Sequence, residues 1–314
     1  MAIVQLQNVR KVYDKKVAVA DLSFKIEPGT MFGLLGPNGS GKTSSIRMMI
    51  GITVPDSGQV SLFGENFSRK NLGRVGYLPE ERGLYKKMKV MDQLVFLGEL
   101  HGLSAGVAFK RAHEWCERME ITEAIPKKTE ELSKGMQQKI QFIAALLHEP
   151  ELIIMDEPMS GLDPVNAALL MDTLIDLKKQ GRTVLFSTHR MDQVEKMCDS
   201  IALISRGNLL LCGGMREVKS AYPRNRVQMT FEGSDAFLTH PAIESAKNYG
   251  GQVEIKLHSP DGLTADSQGL LAAAVQGGTK ISRFEVMEPT LEEIFIERVG
   301  RDGLESVDGG KKNA

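Results

Sequence analysis

Gly36-Pro37-Asn38-Gly39-Ser40-Gly41-Lys42-Thr43 fits G-x-x-x-x-G-K-[ST], the pattern of a phosphate-binding loop. The apolar run Met31-Phe32-Gly33-Leu34-Leu35 before it reads as a buried strand, and the stretch from Ser44 to Ile50 after it reads as the first turns of a helix. Strand, glycine loop and helix together aim free backbone N–H groups and the positive end of a helix at an anion. Glycines let the backbone wrap close to phosphate oxygens with no Cβ in the way. The stretch Gly36, Pro37, Asn38, Gly39, Ser40, Gly41, Lys42, Thr43 and Ser44 is therefore the expected phosphate cradle. Lys42 reaches the β- and γ-phosphates in this reading, and the Thr43 hydroxyl ligates Mg²⁺.

A second apolar run, Leu152-Ile153-Ile154-Met155, ends in Asp156-Glu157. It reads as a central parallel strand presenting carboxylates at its C-terminal edge, where ligands sit in open α/β sheets. Transfer of a phosphoryl group to water needs a metal, a positioned water and stabilised charge. Asp156 can hold Mg²⁺ through a water, and Glu157 can act as general base. His189 follows the strand Thr183–Ser187 and can hydrogen-bond the γ-phosphate and the water. Tyr13 lies some way ahead of the loop, between two stretches of strand character. It reads either as an aromatic that stacks on a base or as an ordinary half-buried strand tyrosine.

Composition narrows the class. The chain has 314 residues, enough for one large domain and a small one; 42% are hydrophobic, 25% are charged and the net charge is −1. That balance gives no global field for nucleic acid or an anionic surface. No stretch reaches the roughly 18 uninterrupted apolar residues of a membrane span. The N-terminus has no charged segment followed by a long apolar one, so no signal peptide is expected. Cys116, Cys198 and Cys212 are scattered, without metal-site or disulfide spacing, and are expected to be small buried hydrophobes in a reducing compartment.

Residues 2–7 and 22–26 alternate polar and apolar, which predicts antiparallel strands about a turn at Asp14-Lys15-Lys16. Residues 59–63 and 75–80 predict further strands. Residues 90–102 and 105–120 predict amphipathic helices, with Leu94, Leu97 and Leu100 on the face of one and Ala108, Ala112, Trp115 and Met119 on the other. A helix is expected over Thr129–Leu147 and another over Val165–Lys179, followed by a hairpin about Arg206-Gly207. The first domain is thus placed at 1–221, with a helical insert over about 82–150. At Tyr222-Pro223 the pattern changes to a β-α-β-α-β-α series. Its strands are expected near 226–231, 252–257 and 280–287, and its helices near 241–249, 264–276 and 290–299. This is a second domain of α+β type over 222–300, and the Gly-, Asp- and Lys-rich residues 301–314 are an expected disordered tail.

The chain resembles the ATP-binding subunits of ABC transporters. The resemblance covers about residues 3–220 and is carried by Gly36–Thr43 (Walker A), Leu132–Gln137 (signature), Leu152–Glu157 (Walker B), Ser160–Asp163 (D-loop) and Thr188-His189 (switch histidine). It implies an α/β cassette of the P-loop type, a mixed sheet with antiparallel strands and a helical subdomain, that hydrolyses ATP with Mg²⁺. By this resemblance Tyr13 stacks on adenine. Two subunits, alike or different, sandwich two ATP head-to-tail, Ser133 and Gly135 serve the ATP held by the partner, and Asp163 of the D-loop belongs to the nucleotide site. Residues 222–300, ending in Met287-Glu288-Pro289-Thr290-Leu291-Glu292-Glu293, resemble the appended domain of the NatA and YhaQ type of exporter ATPase. That likeness implies export, with sodium or a drug-like substrate in some relatives. It also implies a permease in a separate membrane chain, no nucleic-acid partner, and a place at the inner face of the cell membrane. A soluble ATPase of the same superfamily, unconnected with transport, is the alternative.

Two departures stand out. The signature reads Leu-Ser-Lys-Gly-Met where the family norm is Leu-Ser-Gly-Gly-Gln, so Lys134 adds a cation and Met136 removes an amide. Glu80 stands where the family places a glutamine that touches Mg²⁺ and relays motion to the membrane subunit. It is expected beside the metal, or else paired outward with Arg82 or a lysine.

Overall fold

Asp14 and Lys15 both take positive φ, 42° and 73°, a two-residue turn whose twist suits an antiparallel ribbon. In the computed structural model, which describes residues 1–81, 83–259 and 265–299, this turn joins β1 (Val4–Tyr13) to β2 (Lys16–Ile26). Next come β3 (Met31–Leu35), α1 (Lys42–Met49), β4 (Ser57–Leu62), β5 (Glu65–Asn66) and β6 (Val75–Leu78). The helical insert holds α2 (Val90–Leu100), α3 (Ala105–Arg118) and α4 (Lys134–Leu146). The chain returns to the sheet with β7 (Leu152–Asp156), α5 (Pro164–Lys179), β8 (Thr183–Thr188), α6 (Met191–Met197), β9 (Ser200–Ser205) and β10 (Asn208–Gly214).

The strands form one sheet in the order β5-β4-β1-β2-β10-β9-β3-β8-β7-β6. Strands β9, β3, β8, β7 and β6 are parallel neighbours, while β2, β1, β4 and β5 pair antiparallel. Every residue of β3, β7 and β8 is buried, as a parallel strand with both faces covered requires. Ile46, Met48 and Met49 of α1 share a core with Phe24, Phe32 and Leu34, and the rings of Phe24 and Phe32 stack at 5.3 Å. This packing fixes the N-terminus of α1 at the C-terminal end of β3, which is where the phosphate loop lies.

The insert departs in detail from the expected helices. In α2 the buried side is Val90, Met91, Gln93, Leu94 and Gly98, whereas Leu97 is half-buried and Leu100 is exposed. The buried stripe therefore follows the four-residue spacing, and Leu100 falls off its edge. The helix expected from Thr129 begins later. Thr129–Glu131 make a 3₁₀ turn, and the hydroxyl of Ser133 caps α4 by accepting from the Met136 N–H at 3.2 Å. Cys116 and Cys198 are buried as expected, but Cys212 is exposed.

The chain divides into two units, one ending at Gly213 and the other starting at Gly214. The second contains α7 (Met215–Ser220), β11 (Arg226–Glu232), β12 (Ile243–Asn248), β13 (Gln252–Leu257), α8 (Ser267–Gln276), β14 (Lys280–Met287) and α9 (Leu291–Val299). Its sheet, β12-β13-β11-β14, is antiparallel throughout. It has its own core, built on Val227, Met229, Val253, Ile255, Leu257 and Leu270.

The helix expected at 241–249 is instead the edge strand β12. Its Ala, Glu and Lys residues favour a helix locally, but the ladder to β13 overrides them. Its side chains are almost all exposed, so no alternation marks it, and the charges of Glu244 and Lys247 suit an edge. The tail 301–314, expected to be disordered, lies outside the described residues. A chain ending at Ala221 is expected to stay soluble and to bind nucleotide within about twofold of the full chain, measured by fluorescent-nucleotide titration. Aggregation, or a much weaker affinity, would place part of the first unit's core beyond that point.

Candidate nucleotide-binding and catalytic site

The loop from β3 turns so tightly that Gly36 has φ 155°, and a Cβ there would lie 2.1 Å from the carbonyl oxygen of Ile204 and 2.6 Å from Ser40 Oγ. Only glycine fits. The loop is closed by Ser40 N–H donating to Pro37 O at 3.1 Å, and it is held from behind by Gly207 N–H donating to Ser40 O at 2.9 Å. Lys42 opens α1 and folds back over the loop, its Nζ donating to Gly36 O at 2.7 Å and to Pro37 O at 3.3 Å. The same Nζ lies 3.7 Å from Glu157 Oε1, with both side chains buried. Burial lowers the Lys42 pKa, and the carboxylates of Glu157, Asp156 and Glu80 oppose that shift.

Glu157 follows β7 with φ 49°, in the left-handed region that few side-chain-bearing residues enter. That turn directs the carboxylate into the cleft rather than along the strand. Its N–H donates to Ser187 O and Ser187 Oγ, each at 3.2 Å. His189 Nδ1 lies 3.0 Å from Glu157 Oε1. Asp156, one residue back, is fully buried; its Oδ1 accepts the Ser187 hydroxyl, while Oδ2 has no hydrogen-bond partner among the described residues. An unpartnered buried oxygen of this kind costs about 1–3 kcal/mol unless a cation or water meets it. A hard carboxylate oxygen beside a phosphate loop suits Mg²⁺, which keeps water and phosphate oxygens and needs no protein cage. Among the described residues no group of three or more His, Cys, Asp or Glu could hold a metal ion.

A cleft of about 380 Å³ brings Tyr13, Asn38, Gly39, Gly41, Lys42, Thr43, Ser44, Glu80 and Glu157 together. Gly36, Pro37 and Ser40 form the back of its loop and do not line it. Tyr13 is 39% exposed, and Lys11 Nζ sits 5.6 Å from its ring centre. Glu80 is exposed but faces this cleft. Its pKa is raised by partial burial and by the charges of Asp156 and Glu157, against the pull of Lys42. Among the described residues it has no ion pair; Arg82 lies outside them.

Ser133, Gly135 and Asp163 are not brought to this cleft. Ser133 and Gly135 lie at the start of α4, with Gly135 close to Leu162. Asp163 caps α5, accepting from Val165 N–H and Asn166 N–H at 3.0 Å each, and these bonds, the Asn166 one foremost, hold its carboxyl below the usual range. Sequence reasoning missed Ser187, which ties Asp156 to Glu157, and Lys16, which lines the cleft. Ser187 pairs directly with Asp156 in the β7–β8 register, so aligning the two apolar strands end to end could have found it.

The family model described as "ABC transporter" matches residues 19–160. The uncharacterised ABC transporter ATP-binding protein YhaQ of Bacillus subtilis is 43% identical over 296 residues, covering 94% of this chain and 98% of that protein. The chain belongs to the ABC transporter ATP-binding proteins.

As an ABC ATP-binding subunit it carries the ATP-hydrolysing cassette of that family and binds nucleotide. The linearmycin resistance ATP-binding protein LnrL of Bacillus subtilis is 35% identical over 313 residues, covering 95% of this subunit and 99% of that one. A solved structure described as the ATP binding subunit of an ABC transporter superposes with a TM-score of 0.64 at 27% identity, over 69% of this subunit and 92% of that chain. Residues 213–299 of the subunit match the C-terminal domain of ATP-binding proteins described as DrrA1-3-like. No helix among the described residues is long and apolar enough to cross a membrane, and ABC ATP-binding subunits of transporters work with membrane permeases.

Proposed function

We propose that this subunit closes on Mg-ATP and hydrolyses it with Glu157 as general base, and that the closure drives a separate permease that exports its substrate. One observation carries the reading: the Glu157 carboxylate, turned into the cleft by its left-handed backbone, meets both His189 at 3.0 Å and Lys42 at 3.7 Å. A base, a group that can orient water, and a cation for the γ-phosphate thus converge on one oxygen. Tyr13 stacks on the adenine, and the N–H groups from Gly36 to Ser44 cradle the phosphates. Thr43, Asp156 and Glu80 would hold Mg²⁺, which when bound neutralises charge on the β- and γ-oxygens. Ser133, Gly135 and Asp163, which lie away from the subunit's own cleft, serve the ATP of a second ATP-binding subunit, identical or not.

The permease seats on the apolar groove that opens beside Ile52, Leu72, Tyr77, Leu84, Leu97 and His101. His101 stacks on His148 at 3.8 Å there, and burial pushes His148 down to about 4, so its imidazole is uncharged at neutral pH. The loop from Glu80 to Lys89 runs between the nucleotide cleft and this groove, and it relays closure to the permease. The linearmycin resistance in LnrL's name supports a drug-like substrate. The subunit works at the cytoplasmic face of the membrane, held there by the permease.

The Glu80 carboxylate supplies the test. Among Asp156 and Glu157 it is repelled, and a divalent cation relieves that repulsion. In Glu80→Gln the ATPase activity survives, but half-maximal rate needs on the order of tenfold more Mg²⁺. An unaltered Mg²⁺ titration places Glu80 outside the metal site.

A further inference from the structure

Two stretches far apart in sequence meet in the insert. Val90 N–H donates to Lys127 O, Thr129 N–H to Met88 O and Glu130 N–H to Lys86 O, each at 3.0–3.1 Å, and Lys89 forms an antiparallel bridge with Lys128. The ribbon so made gathers Lys86, Lys87, Lys89, Lys127 and Lys128, all exposed. None of them forms an ion pair among the described residues. Glu130 and Glu131 are the carboxylates on the ribbon, and Glu131 accepts the Lys128 N–H at 2.5 Å.

Like charges directly opposite one another on paired strands destabilise the pairing. Lys89 and Lys128 are such a pair, held in place by backbone bonds, and neither side chain forms an ion pair among the described residues. The ribbon is anchored as well: Tyr85 N–H donates to the buried Gln93 side chain at 2.5 Å, and the Gln137 amide donates to Thr129 O at 3.2 Å. Next to Lys86 in the chain, Tyr85 meets Phe96 edge-on at 6.0 Å, and Tyr85 and Phe96 are 53% and 37% exposed. A rigid cluster of lysines next to exposed aromatic groups suits a charged interface with an apolar interior beneath it.

We propose that the ribbon of Lys86, Lys87, Lys89, Lys127 and Lys128, with Tyr85 and Phe96 at its margin, is a docking surface for an anionic lipid bilayer. This rests on the reading that the subunit works against a membrane permease, and it adds a second attachment that does not pass through that protein. Clusters of four or more lysines beside a membrane bind acidic headgroups, and the attraction falls off within a Debye length. Lysine is the apt residue here. Its ammonium is a compact, hydrated point charge on a flexible stem and so accepts varied headgroup geometry. The ribbon also sits on the loop that carries Leu84 into the permease groove, so both attachments belong to one stretch of chain.

The test uses the full chain with sedimented vesicles of phosphatidylcholine, with and without phosphatidylglycerol. Binding to the acidic vesicles is expected, steeply weakened by salt, with little binding to phosphatidylcholine alone. Replacing the five lysines by Gln is expected to weaken it by on the order of a thousandfold or more, at roughly fivefold per lysine, with the unfolding midpoint unchanged. Equal binding by this variant, or equal binding to neutral vesicles, overturns the proposal. So does a variant that loses only capture of the detergent-solubilised permease while neither form binds vesicles; that result would assign the ribbon to an acidic protein segment. Ile52→Glu in the groove separates the two readings. It is expected to lose the permease and keep vesicle binding, and if it keeps the permease the groove assignment falls while the vesicle result stands.

Discussion

In the Glu157→Gln chain, ATP turnover falls by on the order of a hundredfold or more while ATP binding persists. The amide has nearly the volume of the carboxylate and keeps a place beside His189 and Lys42, but it cannot take a proton from water. Removing one negative charge from a cleft that Glu80 also lines, with Asp156 buried next to Glu157 in the chain, lowers repulsion toward the phosphates. Nucleotide therefore stays, and hydrolysis no longer releases it. With ATP present, gel filtration should show a long-lived dimer that the wild-type chain forms only transiently. Near-normal turnover in this variant would move the base elsewhere; His189 would then be the next group to examine, since it touches the same oxygen.

Gly36→Ala is expected to weaken ATP binding by on the order of a hundredfold and to lower the unfolding midpoint, at a cost of about 3 kcal/mol. The added Cβ meets the Ile204 carbonyl at 2.1 Å, and that carbonyl cannot yield. It belongs to β9, which is paired to β3 along the register Phe32 to Leu35. The loop must move instead, and with it the Gly36 carbonyl that holds Lys42. Gly39→Ala is the control. Its φ of 76° carries strain of about 1–2 kcal/mol, but nothing lies within 4 Å of the new carbon. Isothermal titration with ATP distinguishes the two. Equal losses would mean that backbone conformation matters here and the steric block does not.

Much of this site is legible in the amino-acid order alone. Gly36–Thr43 and Asp156-Glu157 can be read because they close apolar runs that have to be buried strands, and a buried parallel strand leaves few places for a polar pair except its end. The left-handed turn at Glu157 is not legible, because nothing in Met-Asp-Glu-Pro announces a positive φ on a glutamate. Ser187 hides for a different reason: its role depends on which strand lies beside β7, and register between distant strands is a property of the sheet. The strand β12 reads as a helix because its Ala, Glu and Lys residues share no buried face, so local helix preference is the signal that remains. The lysine ribbon is scattered over two segments and becomes a patch only when their backbones pair.

The left-handed backbone at Glu157 also bears on how this molecule could be made hardier. A survey of substitutions scored for stability alone would favour Gly or Asn at that position, since either accepts the conformation more readily than a glutamate. It would likewise cover the orphan oxygen of Asp156 with something apolar. Two positions where stability could be gained are thus ones to which we assign the chemistry. An engineer working toward a more durable subunit should set those residues aside first and look for gains on the surface helices.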